Sequence, residues 1–187
     1  MKSLFTLLSA LVLLVSFGSS HAQGYFGATF GQSSPDEDGF DDSTGYRLTV
    51  GYNVNPNVAV EGSYTYAGEF DADDDLLAFL SFISPLPVED ASVEVDGIEF
   101  AVVGKAPLSD TVSAYGKLGI FMWDAEFNFD FGASGSGSDS DDGSDPFYGV
   151  GISFDIGEKA ALNLEYMFYE ASDGDVDVLG AGVMVNF

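Results

Sequence analysis

Val176-Asp-Val-Leu-Gly-Ala-Gly-Val-Met-Val-Asn-Phe187 is the stretch that decides the fold. Counting back by twos from the last residue gives Phe187, Val185, Val183, Ala181 and Leu179, all apolar. Between them lie Asn186, Met184, Gly182, Gly180 and Val178, a small or mixed set. This two-residue period is that of a β-strand with one greasy face. Such a strand can line a water-soluble sandwich or form the outer wall of a barrel in lipid, and the rest of the chain decides between them.

The same alternation recurs upstream. Strands are expected over Gly24–Gln32, Tyr46–Val54, Val58–Gly68, Val93–Ala106, Thr111–Phe131, Phe147–Ile156 and Ala160–Glu170, which makes eight with the last. Each carries an apolar, aromatic-rich face, such as Tyr46, Leu48, Val50, Tyr52 and Val54, against a face of Gly, Ser, Thr and charges. The fourth counts Val95, Ile98, Phe100 and Val102 as its apolar set, with a phase slip near Asp96-Gly97 that reads as a bulge. Short turns at Asn55-Pro56-Asn57, Pro107–Asp110 and Gly157–Lys159 alternate with longer polar segments. Those segments are Ser33–Gly45, Glu69–Ser92, Gly132–Pro146 and Ala171–Asp175; the third is Gly, Ser and Asp and reads as a flexible loop. Inside the second, Asp73–Ile83 reads as a short Asp-capped helix with an apolar face.

Charge and composition narrow the class. The chain has 31 acidic and five basic residues, a formal charge of -26, and no cysteine. Nucleic acid would be repelled by such a surface. Met1-Lys2-Ser3, an apolar run from Leu4 to Phe17 and Ser20-His21-Ala22 read as a secretory signal cleaved after Ala22, leaving residues 23–187 as one domain. Beyond that leader no run is long and apolar enough for a transmembrane helix, so any crossing must use strands.

An up-and-down meander places the short turns at one end and the acidic loops at the other. Strands of about ten residues cross the hydrocarbon when tilted. Outward faces free of charge on all eight strands fit lipid, whereas a soluble barrel would put its apolar face inside. The expected fold is therefore all-β: an eight-stranded antiparallel up-and-down transmembrane barrel with short periplasmic turns and longer acidic extracellular loops. Tyr46, Tyr66, Tyr148 and Phe168 at the loop ends, and Phe26, Tyr52, Phe154 and Phe187 at the turn ends, form interfacial girdles.

Arg47, Lys105 and Lys117, three of the four basic residues after the leader, fall on inward faces together with Glu61, Glu99 and Glu165. Charges in so narrow an interior are costly unless paired. Pairing Lys105 with Thr111 across the turn between the fourth and fifth strands would set Glu99 opposite Lys117, and an ion pair between them is expected, with Arg47 and Glu165 at a similar height. Gly27, Gly51, Gly119, Gly149, Gly151, Gly180 and Gly182 also face inward and leave room for long charged chains.

With the leader, the meander, Tyr115-Gly-Lys-Leu-Gly119 and the terminal Val183-x-Val185-x-Phe187, the chain resembles the small outer-membrane barrels typified by the transmembrane domain of OmpA and by OmpX. The resemblance covers the whole mature chain. It implies a lumen ion network at Glu99, Lys117, Arg47, Glu165, Glu61 and Lys105. It also implies a C-terminal assembly signal at Val183, Val185 and Phe187, read by the barrel-assembly machinery. The chain stops at the barrel, so no cell-wall tether is expected.

The function expected is a non-catalytic outer-membrane barrel with a structural or surface-interaction role and a narrow, ion-paired lumen. The alternative is a small-conductance porin-like channel gated by those pairs. Barrel hydrolases of this kind use Ser with His, and the only His, His21, leaves with the leader. Asp36-Glu37-Asp38-Gly39 and Asp139–Gly143 echo calcium loops without the distal Glu of the full pattern, so neither a cofactor nor a specific metal site is expected. The partners expected are outer-membrane lipid and lipopolysaccharide, bridged by divalent cations.

Overall fold

The structure is a computed structural model that describes residues 24–35, 40–84, 88–170 and 175–187. The leader read at residues 1–22 and the acidic stretch at 36–39 lie outside the described residues. Eight strands close into a barrel: β1 Gly24–Pro35, β2 Ser43–Asn55, β3 Val58–Asp71, β4 Asp90–Pro107, β5 Val112–Asp130, β6 Ser136–Ile156, β7 Ala160–Tyr169 and β8 Val176–Asn186. Every neighbour is antiparallel, and β8 returns to β1 with Val185 opposite Phe26 and Val183 opposite Ala28. The eight-stranded transmembrane barrel expected from the alternation is the fold found.

Alternation sets the two surfaces. Leu48, Val60, Phe100, Leu118, Val150, Leu164, Leu179 and Val183 all point outward and are exposed. A continuous apolar belt of this kind belongs in hydrocarbon. Aromatic pairs edge the belt: Tyr46 stacks on Tyr66 and Tyr148 on Phe168 at the loop end, and Phe26 on Phe187 at the turn end.

Three expectations need correction. First, Gly132–Pro146 is not a loop. A short 3-10 turn at Gly132–Ser134 is followed by strand from Ser136, and Asp130 pairs with Ser136 at the top of a long β5–β6 hairpin. A Gly/Ser/Asp run has no apolar alternation to betray a strand, yet backbone pairing to β5 needs none. Second, the bulge lies on β3, between Tyr66 and Gly68, opposite an unbroken β4. Val95 therefore points inward, not outward, in phase with Gly97 and Glu99. Third, the interior is less polar than expected: Phe121, Phe147, Met167, Tyr25 and Val103 are buried there. The inward glycines make room largely for these bulky chains, since a Cβ at Gly119 would meet the Phe147 ring and one at Gly149 the Met167 sulfur.

The rim is uneven. β3 to β6 rise well above the level at which β6 last pairs with β7, Phe147 opposite Tyr169. The helix α1, Asp74–Ile83, sits in the β3–β4 connection where the sequence placed it, with the Asp73 carboxylate accepting from the Leu76 N–H at 2.8 Å. Leu76 and Leu77 pack on Ala72, Val88 and Ala91, whereas Phe79, Phe82 and Ile83 face outward.

Candidate functional site

The inward charges converge on one layer across the middle of the lumen. Arg47 on β2, Glu61 on β3, Glu99 on β4, Lys117 on β5 and Glu165 on β7 are each more than nine-tenths buried. Strand parity alone sends all five inward, because each sits in phase with the small residues of its strand.

Lys117 Nζ lies 2.8 Å from Glu61 Oε2 and 3.4 Å from Glu165 Oε2. Arg47 pairs with Glu165 through Nη2 and Oε1. Tyrosines supply the remaining donors. Tyr25 donates to Glu61 at 2.6 Å, Tyr115 to Glu165 at 3.0 Å and Tyr169 to Glu99 at 2.8 Å. Tyr169 also accepts from Arg47 Nη1 at 3.1 Å, and Thr65 donates to Glu99. Glu61 and Glu165 thus each combine an ionic and a phenolic partner, while Glu99 is held by the Thr65 and Tyr169 hydroxyls.

Glu99 and Lys117 are not paired, contrary to expectation. Lys105 faces Tyr115, Lys117 faces Val103 and Glu99 faces Phe121. β4 runs on through Pro107, and the turn closes with the Leu108 and Ser109 N–H groups both bonded to the Val112 carbonyl. The hydrophobic period fixes which face a residue takes but not an offset by whole pleats. Lys105 lies apart from the layer, at the turn-side mouth. Its Nζ donates to Asn53 at 2.7 Å and sits 4.8 Å from the Tyr25 ring centroid.

Sequence reasoning singles out the charges and overlooks their phenolic partners. Tyr25 and Tyr169 share the inward parity of the charges on their strands, which was the available signal.

The charged layer separates two cavities. The loop-side one is about 210 Å³ and mainly apolar, with Thr65, Phe121 and Tyr169 among its lining. The turn-side one is about 200 Å³ and more polar, with Glu61, Lys105, Tyr115 and Asn163 among its lining.

A family model described as "Outer membrane protein beta-barrel domain" matches residues 3–187. The chain belongs to this outer-membrane β-barrel family. Its place is accordingly the outer membrane of a Gram-negative bacterium. Outer membrane protein A of Shigella flexneri is 24% identical over 164 residues, covering 83% of this chain and 43% of that protein. The chain thus spans less than half the length of the curated relatives it matches. Among solved barrels, Ail of Yersinia pestis, crystallised with the heparin analogue sucrose octasulfate, superposes with TM-score 0.63 at 19% identity, covering 89% of this chain and 99% of that one. Neisserial surface protein A gives 0.64 at 15%, covering 88% and 97%, and OprG of Pseudomonas aeruginosa 0.56 at 17%, covering 89% and 95%. At these identities the structural likeness speaks for the barrel fold.

Proposed function

We propose that this family member, after loss of residues 1–22, is a non-catalytic outer-membrane barrel with a sealed lumen and a structural or surface-interaction role. The observation that carries the reading is the charged layer: Arg47 and Lys117 reach across to carboxylates on β3 and β7 and are held there by tyrosines. Eight strands enclose an interior just wide enough for side chains, which these fill. Planar-bilayer recording of the refolded protein tests the reading: no steady conductance is expected, and a stable ohmic current refutes the seal.

A small-conductance channel is the second reading. What favours it is that a cavity opens on each side of the charged layer. A wild-type current that changes in Glu165→Gln or Lys117→Met supports it.

The acidic exterior favours contact with lipopolysaccharide phosphates through divalent cations, since a net charge of -26 opposes direct binding of a polyanion. Retention of the protein on lipopolysaccharide that is lost with a chelator tests this. Val183, Val185 and Phe187 are proposed as the segment that the barrel-assembly machinery reads.

A further inference from the structure

The loop-side cavity has an unusual character for the mouth of a barrel that faces water. Its walls include Phe70, Val95, Phe121, Trp123, Phe127 and Val176. A few polar groups complete the lining: Thr65 and Tyr169 reach it from the charged layer, and Asp141, Glu170 and Asp175 add three carboxylates.

The wall is built rather than incidental. The Trp123 indole N–H donates to Asp145 at 2.7 Å, and its ring lies against β6 at Gly143, where an added Cβ would collide with it. Phe121 packs edge-on to Tyr169, and Phe147 stacks on the same ring, so the aromatic base has a fixed geometry.

We propose that this cavity is a binding site for a small aromatic molecule, uncharged or singly cationic. Size sets the first limit: an apolar cavity of roughly 150 Å³ accommodates benzene, and this one is about 210 Å³. One substituted ring fits. Chemistry sets the second: aromatic walls give dispersion and edge-to-face contacts, and attract cations through the ring faces. Charge sets the third: the acidic side chains and the overall charge of -26 concentrate cations and exclude anions. The site does not depend on whether the lumen conducts, because the base formed by Phe121 and Tyr169 is present under either reading.

Trp123 is the only tryptophan in the chain, so the site carries its own reporter. The full chain, refolded in zwitterionic lipid nanodiscs, is titrated at pH 7 and low salt with three probes of matched shape. These are 4-nitrobenzylamine as the cation, 4-nitrobenzyl alcohol as the neutral form and 4-nitrobenzoate as the anion. Saturable quenching of Trp123 by the amine and the alcohol is expected, with the benzoate at least tenfold weaker. Ala125→Leu, which fills the cavity from β5, should weaken the amine and alcohol at least tenfold while the heat-modifiable gel band persists. Val95→Phe fills it from β4 and serves if the first variant folds poorly. Quenching that rises linearly without saturation, equal affinity for the benzoate, or unchanged affinity in a folded filled variant each overturns the proposal.

Discussion

The Tyr169 hydroxyl donates to Glu99 at 2.8 Å across the lumen, from β7 to β4, while accepting from Arg47 at 3.1 Å. One phenol thereby couples Glu99 to the Arg47–Glu165 pair. Tyr169→Phe keeps the ring and its packing on Phe121 and Phe147 but removes both bonds. A hydrogen bond to a charged group contributes about 1.5–3 kcal/mol, and a loss near the lower end is expected because Thr65 still serves Glu99. Urea titration in lipid vesicles, read by the folded gel band, measures it.

Lys117→Met should cost more. Glu61 loses its cation and Glu165 one of two, and an uncompensated buried carboxylate costs about 3–5 kcal/mol. The double variant Lys117→Met/Glu61→Gln should recover part of that loss, because the orphaned charge goes with its partner. A double-mutant cycle measures the coupling; strict additivity of the two single changes would contradict the pairing.

Gly51→Ala probes the space around Tyr25. A methyl group at Gly51 would run into the Tyr25 ring, which is fully buried and holds Glu61. Overpacking of this kind costs about 1–3 kcal/mol. Gly104→Ala, whose Cβ would meet nothing, is the matched control and should be within about 0.5 kcal/mol of wild type.

Phe187→Ala should slow closure. The Phe187 N–H bonds the Gly24 carbonyl at 2.9 Å, and its ring stacks on Phe26 with centroids 4.7 Å apart. This contact ties the last strand to the first at the turn end. A slower appearance of the folded band on refolding into vesicles is expected, with a larger defect when the assembly machinery is present than when it is absent.

Removing α1 should leave the barrel intact. Its inner residues Leu76 and Leu77 pack on Ala72, Val88 and Ala91, a cluster separate from the two that pack around the charged layer. Replacement of Asp74–Ile83 by a short Gly/Ser linker should preserve heat-modifiable migration; loss of folding would show that the loop contributes to the core.

These residues also show what a sequence discloses about such a fold. Parity is legible, because Arg47, Glu61, Glu99, Lys117 and Glu165 each fall on the face opposite the apolar one of their strand and leave that face unbroken. Offset is not: Glu99 opposite Lys117 and Glu99 opposite Phe121 satisfy the same alternation, and only the turn at Leu108–Val112 distinguishes them. The upper half of β6 is illegible for another reason. Ser136–Asp145 carries no apolar pattern, since it pairs with β5 alone and has little to bury. Tyr169 is readable as inward, but its two bonds depend on β4 and β2 lying within reach across the lumen, a matter of closure and tilt.

The charged layer has a consequence for how this chain can diverge. Glu61 and Glu165 share Lys117, while Glu165 and Tyr169 share Arg47, so neither base can be exchanged without stranding two neighbours. Descendants of this sequence should therefore change these positions in concert or keep them all, while the lipid-facing leucines and valines drift one at a time.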